Sequence, residues 1–276
     1  MKKIAILYDF DKTLSTTDMQ EYDFIKNLGI SNKEFWGETG KLTNENDADK
    51  ILAYMYMMVK FCKDKNIKLT HDYLNECGKS VELLPGVADW FIRINQFAFN
   101  LGYEVEHYVI SSGIVEIVEG TNIYKFFKKV FGCSFIYENG LAVWPRTSVN
   151  YTQKTQYLFR IAKGSLDITD DDTVNKKVDK FEIDYKNMIY IGDGITDVPC
   201  MKLIKDKGGN SIAVYRNKKD IVKTLVNDER VNIVCEADYR EGSVIEDAVK
   251  SIIGNIATYD KLKEKEAKAI KLMLGE

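Results

Sequence analysis

Ile4-Ala5-Ile6-Leu7 runs straight into Tyr8-Asp9-Phe10-Asp11-Lys12-Thr13-Leu14, and this junction decides the fold. The four apolar residues have the length and branching of a buried parallel strand, so two carboxylates are delivered where that strand ends. Open α/β sheets bind their ligands at that edge. Two acids one residue apart repel each other unless a cation or a proton offsets them, which marks Asp9 and Asp11 as a candidate site. An exposed aspartate-rich turn is the plainer alternative. The pattern recurs at Met188-Ile189-Tyr190-Ile191, which ends in Gly192-Asp193-Gly194-Ile195-Thr196-Asp197. Glycines there let the backbone turn tightly around a ligand. Asp197 also suits the N-cap of a helix through Pro199 and Met201.

Working outward, residues 104–110 read as a further strand ending in Ser111-Ser112-Gly113. Small hydroxyls and a glycine at a strand end offer O–H and N–H donors to an anion. They also serve simply to cap and start a helix over 114–119. Residues 211–215 and 232–235 read as two more strands, with helices over 218–226 and 244–256. This alternation predicts an α/β fold with a doubly wound, Rossmann-like parallel sheet. No buried strand is read between Ser15 and Val81; helices over 18–28, 47–65 and 71–81 form a helical insertion. Its run Ala53-Tyr54-Met55-Tyr56-Met57-Met58 reads as core.

Leu83-Leu84-Pro85-Gly86-Val87 returns the chain to the α/β pattern, with a helix over 87–101. Residues 124–130 read as a helix, and 134–137 with 141–144 as a small appended hairpin around Glu138-Asn139-Gly140. Thr152 is a candidate N-cap for a helix over 153–162, which puts Lys154 in the first turn. The helix dipole disfavours a cation there, and a bound anion would compensate. Residues 164–186 are polar and charge-rich, with Asp170-Asp171-Asp172 on a solvated loop.

Composition narrows the chemistry. The 276 residues are 45% hydrophobic and 29% charged, enough for a full core and for two domains. A net charge of −3 and a pI near 5.7 give no bulk attraction for nucleic acid or an anionic membrane. The first apolar run is too short for a signal-peptide core, and no later run approaches a membrane span, so a cytoplasmic location is expected. Cys62, Cys77, Cys133, Cys200 and Cys235 lack a Cys-x-x-Cys pair, and His71 and His107 are the only imidazoles. Disulfides and structural zinc are therefore not expected. Metal chemistry would rest on carboxylates, which suit magnesium.

Asp9-x-Asp11-x-Thr13, Ser111, Lys154 and Gly192-Asp193-Gly194-x-x-Asp197 together resemble the four ordered motifs of the haloacid dehalogenase superfamily, in its phosphoserine phosphatase-like branch. Lys163 is the rival to Lys154. The resemblance implies a core over 1–15 and 83–258, a helical cap over 16–82, and a C-terminal helix or tail over 259–276. It implies a magnesium-dependent phosphatase acting on a small phosphorylated metabolite through an aspartyl-phosphate. Asp9 would be the nucleophile and Asp11 the acid/base, with Asp9, the Asp11 carbonyl and Asp193 on the metal. Ser111, Ser112, Gly113 and Lys154 would bind phosphate, Asp197 would orient Lys154 or a metal-bound water, and Thr13 would brace the loop. Asp18 stands where such phosphatases carry a substrate-contacting glutamate; a helix-capping role is its alternative. A dehalogenase would need neither Asp11 nor Asp193, while a phosphomutase or a non-catalytic phosphometabolite-binding protein would keep the same core.

Overall fold

The structure, a computed structural model, describes residues 1–216 and 219–274. In chain order the elements are β1 (Lys2–Tyr8), α1 (Asp23–Asn27), α2 (Asn32–Asn46), α3 (Lys50–Asp64), α4 (His71–Gly78), α5 (Val87–Asn100), β2 (Tyr103–Ile114), α6 (Val115–Glu119), β3 (Phe127–Glu138) and β4 (Leu141–Thr147). They continue with α7 (Thr155–Lys163), α8 (Asp171–Asn175), β5 (Met188–Gly192), α9 (Val198–Asp206), β6 (Asn210–Tyr215), α10 (Lys219–Asn227), β7 (Ile233–Glu236) and α11 (Val244–Leu274). The expected helix start at Lys218 lies outside the described residues, as do the last two residues of 259–276.

Seven strands form one sheet in the order β4-β3-β2-β1-β5-β6-β7. All pairs are parallel except β3 with β4. The sheet is therefore doubly wound, as the alternation of strands and helices implies. β1 lies at its centre because residues 4–8 are fully buried and its side chains need cover on both faces. Tyr8 stands level with Val109 of β2 on one side and Ile191 of β5 on the other. Strand β2 runs on to Ile114, so Ser111, Ser112 and Gly113 lie within that strand rather than beyond its end as the sequence suggests. From β1 the chain winds outward through β2, β3 and β4, then crosses to β5, β6 and β7. The reversal of winding leaves a crevice at the ends of β1 and β5, where such sheets bind ligands.

Four readings of the sequence need correction. The helix expected over 124–130 is a single 3-10 turn, Tyr124–Phe126, followed by β3. The hairpin is no appendage: β3 pairs parallel with β2 and then antiparallel with β4, which makes β4 the sheet edge. The expected break after residue 258 is absent, because α11 runs unbroken for 31 residues. Finally, α2 was not anticipated. It is largely polar, carries Gly37 and Gly40, and buries only Phe35 and Thr39.

The segment between β1 and α5 leaves and rejoins the sheet at one place. Ser15 bridges Leu83, the Thr16 N–H donates to the Glu82 carbonyl at 2.9 Å, and the Leu84 N–H donates to the Leu14 carbonyl at 2.8 Å. Within the segment, Phe24, Phe35, Tyr54, Met55, Met57, Met58 and Leu74 are buried, so the aromatic and methionine run forms core except at Tyr56, which is exposed. All five cysteines are buried free thiols. No helix among the described residues is long and apolar enough to cross a membrane.

Candidate active site

Asp9 is the first residue past β1, buried, with its backbone N–H donating to the Ile191 carbonyl at 2.9 Å. That bond locks the end of β1 to β5 and brings Asp9 against the loop after β5. The carboxylate oxygens of Asp9, Asp193 and Asp197 lie within 4.8 Å of one another. Lys154 reaches this group with no exposed surface and donates to Asp9 Oδ1 at 2.8 Å and Asp197 Oδ1 at 2.7 Å. A buried ammonium needs such partners to stay charged, and the two carboxylates raise its pKa against the opposing pull of burial.

Lys154 closes a 3-10 turn, Tyr151–Lys154, that leads into α7, and the cap of that turn is Asn150 rather than Thr152. Lys163 acts elsewhere, its ammonium holding the carbonyls of Val174 and Lys176, each at 2.7 Å. Of these two lysines, Lys154 is the one that touches the acids at the strand ends.

Asp197 is completely buried, and its side chain makes no cap bond to α9. Its Oδ1 accepts from Lys154 and from the Tyr190 hydroxyl at 2.8 Å, and its Oδ2 accepts from the Gly194 N–H at 3.2 Å. The helix-cap alternative is replaced by an anchoring one. Gly192 makes the approach possible: a Cβ there would stand 2.6 Å from Asp197 Oδ2.

The acids differ in electrostatic setting. Burial, then the charge of Asp197, raises Asp9 to about 6, with Lys154 working the other way. Burial, then repulsion from Asp9 and Asp197, raises Asp193 to about 8. Asp11 is pushed well above the carboxylate range by burial, with Asp18 and Asp9 adding to it. Its only hydrogen-bond donor among the described residues is the Met19 N–H, at 2.8 Å from Oδ1. At neutral pH and without a cation this setting favours the protonated acid.

Asp11 faces the end of β2: a Cβ added to Gly113 would lie 3.1 Å from Asp11 Oδ2. Ser111 is buried and accepts the Gly113 N–H at 2.9 Å, and α6 is capped at Ile114, so Ser111 does not start that helix. The Ser112 carbonyl accepts the Tyr54 hydroxyl at 2.6 Å, which ties α3 to this loop. Thr13 is fully buried and its carbonyl accepts from Tyr239 at 2.8 Å, while its hydroxyl has no hydrogen-bond partner among the described residues. Asp18 pairs with Lys12 at 2.6 Å and makes no cap bond, which removes its helix-capping alternative. Asp11, Asp18 and Ser112 lie on the wall of a cavity of about 460 Å³ that α2 and α3 enclose.

Asp9, Asp11, Ser111, Ser112, Gly113, Lys154, Asp193 and Asp197 are thus gathered at adjoining strand ends. The sequence reading missed Tyr190, Lys12, Met19 and Tyr54. Tyr190 and Tyr54 sat inside runs that read as core, and Lys12 and Met19 act through chain geometry that no spacing reveals.

No family model matches the chain. An uncharacterized protein of Borreliella burgdorferi is 27% identical, over 87% of this chain and 93% of that protein. Among solved structures, a haloacid dehalogenase family hydrolase from Salmonella enterica serovar Typhi matches with a TM-score of 0.57 at 17% identity, covering 85% of this chain and 67% of that one. A phosphoserine phosphatase, solved as a phospho-aspartyl intermediate analogue, matches with a TM-score of 0.54 at 19% identity, covering 87% and 97%. What these structures share with the chain is the fold, a haloacid dehalogenase-type Rossmann-like core of the phosphoserine phosphatase kind.

Proposed function

We propose that this chain, built on the fold of the haloacid dehalogenase hydrolases and phosphoserine phosphatases, is a phosphatase that hydrolyses a small phosphate monoester through an aspartyl-phosphate. The observation that carries the reading is the buried Asp9–Lys154–Asp197 array beside Asp193, at the switch point between β1 and β5. In the first step an Asp9 oxygen attacks phosphorus, the bond to the leaving oxygen breaks, and the Asp11 carboxylic acid protonates that oxygen. In the second, Asp11 takes a proton from water, the water oxygen bonds to phosphorus, and the bond to Asp9 breaks to release phosphate. The raised pKa of Asp11 suits the acid role, and the pairing of Asp9 with Lys154 suits the nucleophile. The phospho-aspartyl analogue seen in a structural neighbour is consistent with the intermediate.

Lys154 and the donors of Ser111, Ser112 and Gly113 would hold phosphoryl oxygens. Asp197 would keep Lys154 aimed, and Thr13 would brace the acid loop through Tyr239. Oxygen-only donors whose carboxylates are otherwise pushed toward neutrality fit a hard divalent cation. Asp9, the Asp11 carbonyl and Asp193 would hold magnesium, which supplies positive charge against the phosphoryl oxygens and keeps Asp9 ionised. Residues 16–82 would form a cap on a core of 1–15 and 83–258, an organisation supported by the single crossing at Ser15 and Leu83. Buried reduced thiols and a negative net charge fit a cytoplasmic enzyme with a small-molecule substrate.

The test is Asp9→Asn assayed with p-nitrophenyl phosphate and magnesium. Turnover is expected to fall on the order of 10⁴-fold or more, and retained turnover overturns the assignment. Asp11→Asn should form the phosphoenzyme slowly and hydrolyse it more slowly still, read as acid-quenched labelled protein.

A further inference from the structure

Three buried polar atoms without a hydrogen-bond partner among the described residues belong to side chains that line one cavity. They are the Gln20 side-chain carbonyl, the Thr43 hydroxyl and the Ser112 hydroxyl, and the cavity is the one of about 460 Å³ beside Asp11. Through these three side chains the wall carries amide and hydroxyl chemistry without charge. The volume equals roughly fifteen waters, room for a leaving group of about five or six carbons.

Asn44 and Lys50 are exposed, and three other polar groups of the wall are already committed. Trp36 gives its indole N–H to Glu21 at 2.9 Å, Tyr54 gives its hydroxyl to the Ser112 carbonyl, and Thr39 gives its own to the Phe35 carbonyl at 2.9 Å. The two carboxylates are committed too: Asp18 is paired with Lys12, and Asp11 is the proposed proton donor. Lys50, exposed at the rim, is the only cation on the wall among the described residues, and residues 16–82 contain no arginine. An amino-acid phosphate would find its ammonium partner engaged and no guanidinium fork for its carboxylate.

We infer that the leaving group is a neutral, polyhydroxylated one, a sugar or polyol, held by Gln20, Thr43 and Ser112. An amide and two hydroxyls can both donate and accept, which matches the O–H groups of such a molecule. The Trp36 ring offers an apolar surface to the C–H face of such a molecule. The assignment rests on the phosphatase reading above.

The experiment measures kcat/KM of the full chain with magnesium for p-nitrophenyl phosphate, ribose 5-phosphate, glucose 6-phosphate, glycerol 3-phosphate, O-phosphoserine and phosphoethanolamine. The best sugar or polyol phosphate is expected to exceed both amino phosphates at least about tenfold. In Thr43→Val and Gln20→Met, its ratio to the aryl phosphate should drop roughly five- to tenfold, chiefly through KM. Thr43 is only half-buried, so its variant tests the idea even if the Gln20 variant folds poorly. Turnover of the aryl phosphate with an amino phosphate preferred, or with the ratio unmoved in Thr43→Val, overturns the polyol assignment and leaves the phosphatase reading standing. Loss of turnover on every compound, the aryl phosphate included, sinks the phosphatase reading and this inference with it.

Discussion

Lys154 has no exposed surface and touches two carboxylates, so its charge and theirs are stable only together. Lys154→Met should leave Asp9 and Asp197 facing each other in low dielectric, at a cost of about 3–5 kcal/mol, measurable by urea unfolding along with loss of aryl-phosphate turnover. Gly192→Ala should abolish turnover with a smaller loss of stability, because the added carbon meets the Asp197 carboxylate and not the core. A different residue governs acid stability. His107 lies buried between the Tyr8 hydroxyl at 3.0 Å and Asn95 at 2.8 Å, and burial lowers its pKa from 6.5 to about 3. The unfolded chain takes up that proton near pH 6.5, whereas the folded one does so only near 3. Its contribution is complete above 6.5 and is lost as pH falls toward 3. In His107→Gln, the difference in unfolding free energy between pH 7 and pH 4.5 should shrink by about 2–3 kcal/mol. At this scale the acids and Lys154 were legible because charge at a strand end is conspicuous. Tyr190, an aromatic inside a buried strand, looks the same whether its hydroxyl anchors a carboxylate or not.

Elements were legible where a period was uniform. β1 and β5 are continuous apolar runs, and nothing competes with a strand there. β3 was hidden because Phe126, Phe127, Val130 and Phe131 also match helical spacing, and the pairing with β2 decides between them. α2 was hidden for the opposite reason: its two buried side chains, Phe35 and Thr39, are one turn apart, and of its remaining positions only Trp36 and Leu42 are apolar. Packing against α3 and α1, with the Phe35 ring 5.8 Å from Phe61 and edge-on to Phe24 at 6.1 Å between centroids, supplies what propensity lacks. In α11 the division falls inside one helix. Ile252, Ile253, Ile256 and Ala257 are buried, whereas residues 261–274 are exposed. Ending the chain after Lys261 retains Asp260, which accepts from Tyr103 at 2.8 Å, and should change the unfolding free energy by less than about 0.5 kcal/mol. Ending it after Asn255 also removes Ile256 and Ala257 and should cost about 2–4 kcal/mol. Chemical denaturation of the two truncations distinguishes them.

For the molecule as a whole, the proposed magnesium site exists only in the native state, where Asp9 and Asp193 are brought together. Magnesium at about 100 times its Kd should therefore add about 2.7 kcal/mol to the unfolding free energy, seen as a rising calorimetric midpoint, and Asp193→Asn should abolish that rise. The sheet order carries a second consequence. β1 is the first strand to be made, yet one of its two neighbours, β5, begins at residue 188. At roughly 5–20 residues per second, synthesis on the ribosome leaves the central strand without that neighbour for on the order of 10–40 s. During this interval a nascent chain holds one edge of β1 unpaired. The strand that leads to the proposed nucleophile therefore waits longer for its second neighbour than any other strand of the sheet.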